Sequence, residues 1–309
     1  MVTVMTCVNG IADAVQTVLP EVRPIYVGII LAVCAGFIVF GGFRRLADFA
    51  SAVVPFMTAA YVILAFIVLI THLPQIPGIL ALVVKSALTP QAAFGGAAGY
   101  GIKSAFRYGM ARGIFSNEAG QGTTCTISSA SDARHPVTQA LLGSLGVAVD
   151  TLFVCTATGI IILLSGADYT QVTGAALSQM AFGVFFGNMA PWIIAAALLF
   201  FAFTSIVSSL YNGGVQVQFL TGNTMVLRVY TCLQIAVILV ACVFSPTEMF
   251  ELTDLSAGLM SLVNVIAMVV LFKQVKACIA DYEFQLKQGI KEPVFDWDKF
   301  RREQGIEDS

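Results

Sequence analysis

The sequence predicts an all-α polytopic membrane protein, and three observations carry that prediction. Of 309 residues, 58% are hydrophobic and only 11% charged, against about 25% charged in a soluble domain. Apolar runs near twenty residues recur along the chain, long enough to cross a hydrocarbon core at about 1.5 Å per residue. One polar, glycine-rich stretch, "RGIFSNEAGQGT" at 112–123, interrupts this pattern where a membrane segment is expected.

Other classes are disfavoured. The net charge of -2 comes with no basic patch, so no nucleic-acid partner is expected. Cys34, Cys155, Cys232 and Cys242 lie inside apolar runs, where cysteine behaves as a small apolar residue. No CxxC pair occurs, and His72 and His135 are far apart, so neither a disulfide framework nor a transition-metal site is expected. No nucleophile–base pair suggests an enzyme, and no cofactor is implied.

The elements follow in order. Met1–Leu19 reads as the second half of a helix, since Asn9 and Asp13 break any signal-peptide core. Pro24–Phe43 and Ala50–Thr71 are spans, and Ile76–Leu88 reads as interfacial or re-entrant. Gln91–Arg134 is small-residue rich and carries Lys103, Arg107 and Arg112. Its pairs Gly95–Gly99 and Gly109–Gly113 read first as close helix packing. Val137–Ser165 spans, Tyr169–Phe186 is again interfacial, and Pro191–Tyr211, Val226–Phe244 and Leu255–Phe272 span. The membrane domain is expected over 1–280 and a polar, solvated cytoplasmic tail over 281–309.

Loop charge sets the topology. Arg44 and Arg45 place the end of the Pro24–Phe43 span in the cytoplasm. If Gln91–Arg134 crosses, Arg134, Arg228, Lys273 and Lys276 all fall inside. Asp168, Glu248, Glu251 and Asp254 then fall outside, with few cations there besides Arg23 and Lys85. Without that crossing the later loops invert against the rule. The polar stretch is therefore expected to span, giving about eight membrane segments and two cytoplasmic chain ends.

A cation at a helix centre costs about 2.5–3.5 kcal/mol on the insertion scale. Three in one span must face protein, water or counter-charge. Glycines at 109, 113, 120 and 122 permit a helix break. Unpaired peptide groups at such a break must line a cavity or be buried, and in transporters they hold substrate and ion. The alternative is a polar loop at one interface, with Asn117–Glu118 capping the next helix.

Asp150 and Glu118 carry two readings each: a structural ion pair or hydrogen bond, for Asp150 to Arg107 or Arg112, or a proton or cation site. Thr204 and Ser205 in "FAFTSIVSS" either bond back to their own helix or supply hard oxygen ligands to an alkali cation.

"GMARGIFSNEAGQGT" closely resembles the signature of the alanine or glycine:cation symporter family, the sodium:alanine symporters, with its R-G-x-F-S-N-E-A-G-x-G core. "NGIADA" at 9–14, "IVFGGFRRLAD", "VPFMTAAYVILA", "VDTLFVCTATGIIILLSG" and "FAFTSI" match in order, over nearly the whole chain apart from the tail.

The resemblance implies a leucine-transporter-type (LeuT-like) fold of the APC superfamily, built from two inverted repeats with a broken helix in each. It implies import of small neutral amino acids, chiefly alanine or glycine, coupled to Na+ or H+ at the plasma (inner) membrane. Carried over by motif, Phe115, Ser116, Asn117 and Gly120 belong to the unwound substrate region. Thr204 and Ser205 match the sodium site, and Arg107, Arg112, Glu118 and Asp150 are supporting charges.

Three departures touch that picture. Cys7 stands where the family has Gln, and Ser209 about where many members have Trp. The first broken helix, with its G-T-G-N motif, has no counterpart, so the first repeat is incomplete. The expected reading is a symporter fragment; the alternative is an inactive membrane remnant or an accessory membrane subunit.

Overall fold

The computed structural model describes residues 1–88, 96–118, 120–167, 174–242, 244 and 246–304. Gly95, Asp168, Ala119, the start of the Tyr169–Phe186 segment and the last five tail residues lie outside the described residues. Among those described, the structure is all-helical, with no strand. In order come α1 (Val2–Val18), α2 (Pro24–Val39), α3 (Gly42–Thr71), α4 (Ile76–Leu88), α5 (Gly96–Asn117) and α6 (Thr123–Ser128). Next are α7 (Pro136–Val149), a π-helical turn (Asp150–Cys155), α8 (Thr156–Ser165), α9 (Gly174–Phe186), α10 (Ala190–Thr221), α11 (Thr224–Ala241), α12 (Pro246–Lys287) and α13 (Trp297–Gln304).

Five stretches are long and apolar enough to cross a membrane among the described residues: Arg45–Thr71, Pro136–Ser165, Gly174–Thr221, Thr224–Ala241 and Glu248–Lys287. Val2–Val18, Pro24–Val39 and Leu73–Ser86 are shorter apolar helices. Large apolar side chains point outward from these helices: Phe37 is 70% exposed and Phe219 88%. In water such surface is a liability; in hydrocarbon it is the lipid contact.

The chain divides into two compact units. The first holds residues 1–112 and 152–256. One of its apolar cores joins Val8 and Ile11 of α1, Leu31 and Ala35 of α2, Ile206 and Leu210 of α10, and Ile238 of α11. The other joins Tyr61 of α3, Ile161 of α8, Phe182 of α9 and Ile194 of α10. Helices touch closely where side chains vanish: a Cβ on Gly28 would lie 2.6 Å from Cys242 Sγ. Buried polar groups pin the helices. Gln179 donates to Ala14 O and Pro191 O, each at 3.1 Å. Asn9 donates to Phe244 O at 2.7 Å, and the Thr6 and Thr253 hydroxyls lie 2.6 Å apart. Such bonds satisfy groups that would otherwise be stranded away from water.

The second unit holds residues 113–151 and 257–309. Here the tail folds back: most of its side chains stay exposed, in keeping with its polar composition, but Pro293 and Phe295 are buried. α12 runs on past Phe272 to Lys287, and the chain then folds back. Phe295 N–H donates to Arg134 O at 2.9 Å, and Gln285 exchanges hydrogen bonds with both the N–H and C=O of Val294. His135, fully buried, caps α7 by accepting from Val137 N–H at Nδ1. That bond leaves the ring proton on Nε2, 3.4 Å from Asp281 Oδ2. The rings of Tyr282 and Phe295 pack on the imidazole with centroids at 4.9 and 5.0 Å. Of the apolar tail residues Phe295 is buried and Phe300 half-buried, while Val294 and Trp297 stay exposed.

Candidate functional site

The polar stretch is a broken helix. α5 ends at Asn117 and α6 starts at Thr123. Between them Glu118, Gly120 and Gly122 have φ of 49, 75 and 81°. Glu118 is the one non-glycine residue with positive φ among the described residues, a conformation that costs an L residue roughly 1–2 kcal/mol. Its carboxylate compensates locally, for Oε2 accepts the Thr123 hydroxyl at the start of α6.

Two hydrogen bonds brace the break within the second unit. Asn264 of α12 donates from Nδ2 to Gly120 O at 2.9 Å. A Cβ on Gly122 would lie 2.8 Å from Asn264 Oδ1, so only glycine lets this close approach occur. Gln121, itself buried, donates to Ile114 O at 3.1 Å and satisfies one of the last carbonyls of α5.

The π-helical turn faces the break. Its first two residues, Asp150 and Thr151, meet Ser116 and Asn117. Ser116 Oγ donates to Asp150 Oδ2 at 3.4 Å. Thr151 Oγ1 donates to Asn117 Oδ1 at 2.8 Å. An amide whose oxygen is engaged presents its two N–H donors elsewhere. Widened π turns recur at functional sites because they re-aim side chains. Phe115, Asn117 and Asp150 are half-buried, and Ser116 is exposed.

The remaining candidates belong to the first unit. Arg112 Nη2 pairs with Asp254 Oδ2 at 2.8 Å, and its guanidinium stacks over the Phe250 ring at 4.3 Å. Arg112 Nη1 and Asp254 Oδ1 are buried with no hydrogen-bond partner. Arg107 is exposed and lies over the Tyr108 ring at 5.6 Å. Thr204 and Ser205 both donate to Phe201 O, at 2.9 and 3.1 Å. A hydroxyl that donates to its own helix keeps its oxygen lone pairs available to a cation, so the two readings of this pair are compatible. The close packing expected at Gly109 and Gly113 is not seen: an added Cβ would meet nothing within 4 Å at either.

The sequence reading missed three partners: Thr151, Asp254 and Asn264. Asn264 carried a signal, being a lone amide in the apolar run "SLVNVIAMVV". Thr151 sits beside a residue already singled out, and Asp254 was read only as a loop charge.

Comparison with known proteins bears on what this arrangement serves. The model of the sodium:alanine symporter family matches residues 1–297. The probable sodium/glutamine symporter GlnT of Bacillus subtilis is 38% identical over 281 residues, covering 91% of this chain and 58% of its own length. The amino-acid carrier protein AlsT of Bacillus subtilis is 35% identical, covering 93% of this chain and 60% of its own. The sodium/proton-dependent alanine carrier protein of Bacillus sp. PS3 is 31% identical, covering 94% and 68%. The chain thus spans about three fifths of the length of the first two of these relatives.

Proposed function

The chain belongs to the sodium:alanine symporter family, and on that premise we propose that the protein is a cation-coupled symporter carrying small neutral amino acids such as alanine or glycine into the cell. The family is one of transporters rather than enzymes, and the chain is a multi-pass membrane protein by its long apolar helices. Because it spans part of its relatives' length, the transport cycle is assigned to the whole protein. The coupling ion is Na+ or H+, as the relatives' descriptions support. The fold we assign is leucine-transporter-type, with about eight membrane segments here, α5 among them. Residues 1–280 form the membrane domain and 281–309 the cytoplasmic tail, with both ends cytoplasmic in the plasma membrane.

The observation that carries this reading is the clamped break with Asn117 held from behind by Thr151. The helix ends at Asn117, and the break that follows presents peptide groups to the amino acid, while the Asn117 side-chain N–H groups meet its carboxylate. Sodium at Thr204 and Ser205 favours the closed form. Coupling requires that ion and amino acid each bind one facing state better than the other.

The test is uptake into proteoliposomes holding the whole protein. Alanine or glycine accumulates only under an inward sodium or proton gradient. Asn117→Ala lowers uptake about tenfold, the loss expected when a carboxylate forfeits a charge-assisted hydrogen bond. Uptake indifferent to both gradient and Asn117 contradicts the assignment.

A further inference from the structure

We propose that the groove between α7 and α12 holds a phospholipid with a primary-amine head, its acyl chain along the apolar walls and its ammonium on Glu283. The proposal goes beyond transport. It rests on α7 and α12 crossing the bilayer in the orientation given above, and is indifferent to the solute carried.

The groove lies wholly within the second unit and measures about 640 Å³, inside the range of roughly 300–1,000 Å³ usual for small-molecule sites. Val137 and Leu141 of α7 form one wall, Val275 and Ile279 of α12 the other, and Trp297 and Phe300 of α13 border it. Leu141, Val275, Ile279 and Trp297 are exposed, so the described chain leaves this apolar lining uncovered. The groove continues the outward-facing apolar surface of two spans, which places it against lipid.

The ring contact of His135 sets its depth. His135 immediately precedes α7, and its imidazole lies against Tyr282 with centroids 4.9 Å apart. The start of α7 is therefore level with Tyr282. Because the chain enters the membrane from the cytoplasm at α7, residues 271–279 lie in the inner leaflet and Glu283 at its surface. α13 belongs at that surface too. Its eight residues carry Trp297 and Phe300 three positions apart, with Lys299, Arg301 and Arg302 between and beyond them, the composition of an interfacial helix with tryptophan at headgroup level.

Charge decides the head. Among the described residues that line the groove, Glu283 alone is charged. Neighbouring acids are taken up by the fold: Asp281 accepts from Gln285 Nε2 at 2.7 Å, Glu292 pairs with Arg134 at 3.4 Å, and Asp296 accepts from the N–H groups of Asp298 and Lys299. Glu283 is exposed and has no hydrogen-bond or ion-pair partner among the described residues. A carboxylate on the wall repels a head of net negative charge. It accepts charge-assisted hydrogen bonds from a primary ammonium, whose three N–H donors a choline head lacks. Lys287 and Arg301 are exposed and each follows a lining residue directly, so positive charge stands at the rim, where the same lipid carries its phosphate.

The probe is phosphatidylethanolamine titrated onto the delipidated whole protein in detergent and counted by native mass spectrometry, against phosphatidylglycerol and phosphatidylcholine with the same chains. The ethanolamine lipid should bind most tightly. Glu283→Gln should weaken it about tenfold, as loss of one charge-assisted hydrogen bond requires, without weakening the glycerol lipid. Ala140→Trp, at an exposed position inside the groove, should weaken all three by filling the space, with the melting temperature unchanged. Ethanolamine-lipid binding that Glu283→Gln leaves intact overturns the proposal, and so does a preference for the choline or glycerol head. Either failure leaves sodium-driven uptake, and with it the symport reading, standing.

Discussion

The Thr151 hydroxyl donates to Asn117 Oδ1 at 2.8 Å, so a residue of the π-helical turn fixes which way the amide at the helix break points. Thr151→Val keeps the shape and removes the donor. One such bond contributes about 1 kcal/mol net, so KM for the amino acid rises about fivefold while maximal uptake changes little. Thr151→Ser restores it. Uptake kinetics of the three proteins check this, and an unchanged KM in Thr151→Val refutes the positioning role.

Gly122→Ala should loosen the break. It combines a φ of +81° with a Cβ 2.8 Å from Asn264 Oδ1, costing roughly 1–2 kcal/mol from the backbone alone. Adding Asn264→Ala removes the clash but also the bond to Gly120 O, and leaves the backbone strain. The double variant therefore recovers only part of the loss. Thermal melting in detergent measures both, and full recovery would show that φ at 122 does not matter.

Arg112 and Asp254 should be strongly coupled. Their side chains are 35% and 17% exposed, so the pair is neither fully screened nor fully buried. Removing one partner strands the other, at about 1–3 kcal/mol, between the surface and buried extremes. Losing both costs less than the sum. A double-mutant cycle on melting free energies should give a coupling near 1–2 kcal/mol; additive losses would mean the ion pair contributes nothing specific.

The folded-back tail makes a separate stability prediction. Phe295 is buried beside His135, with the Trp297 ring 4.8 Å away. Phe295→Ala forfeits about 3 kcal/mol of packing and removes the ring contact that shields one edge of Trp297, itself 56% exposed. Its fluorescence should shift to the red and its quenching by iodide increase, against Trp192 as the internal reference. Unchanged emission would show that the tail does not pack this way in solution.

Much of this was legible in the sequence, for physical reasons. The apolar helices were, since lipid demands uninterrupted apolar length: α4 and α11 fall close to the runs that announce them, while α3 begins earlier and α10 ends later than its run. The break was legible because Gly120 and Gly122 cluster beside Ser116, Asn117 and Glu118. What holds it was not. The turn at Asp150–Cys155 differs from an α-helix by one hydrogen-bond register, which no apolar periodicity reveals. Asn264 lies 144 positions from Gly120, and its role depends on where α12 passes. The docking of Phe295 beside His135 was not legible either, because averaging over 281–309 hides a single buried ring. Arg112 could be seen to need a counter-charge, but its partner Asp254 looked like an ordinary loop acid.

Binding at the break is tested most directly by protection of a single cysteine. Ser116→Cys, exposed at the end of α5, is placed in a background without the seven native cysteines and labelled with a membrane-impermeant thiol reagent. An amino acid seated at Phe115–Gly120 in the presence of sodium should slow labelling about fivefold, the occupancy effect of ligand at about four times its Kd, and choline in place of sodium should abolish that protection. Labelling that alanine, glycine and glutamine all leave unchanged, with sodium present and the protein folded, would place the substrate elsewhere.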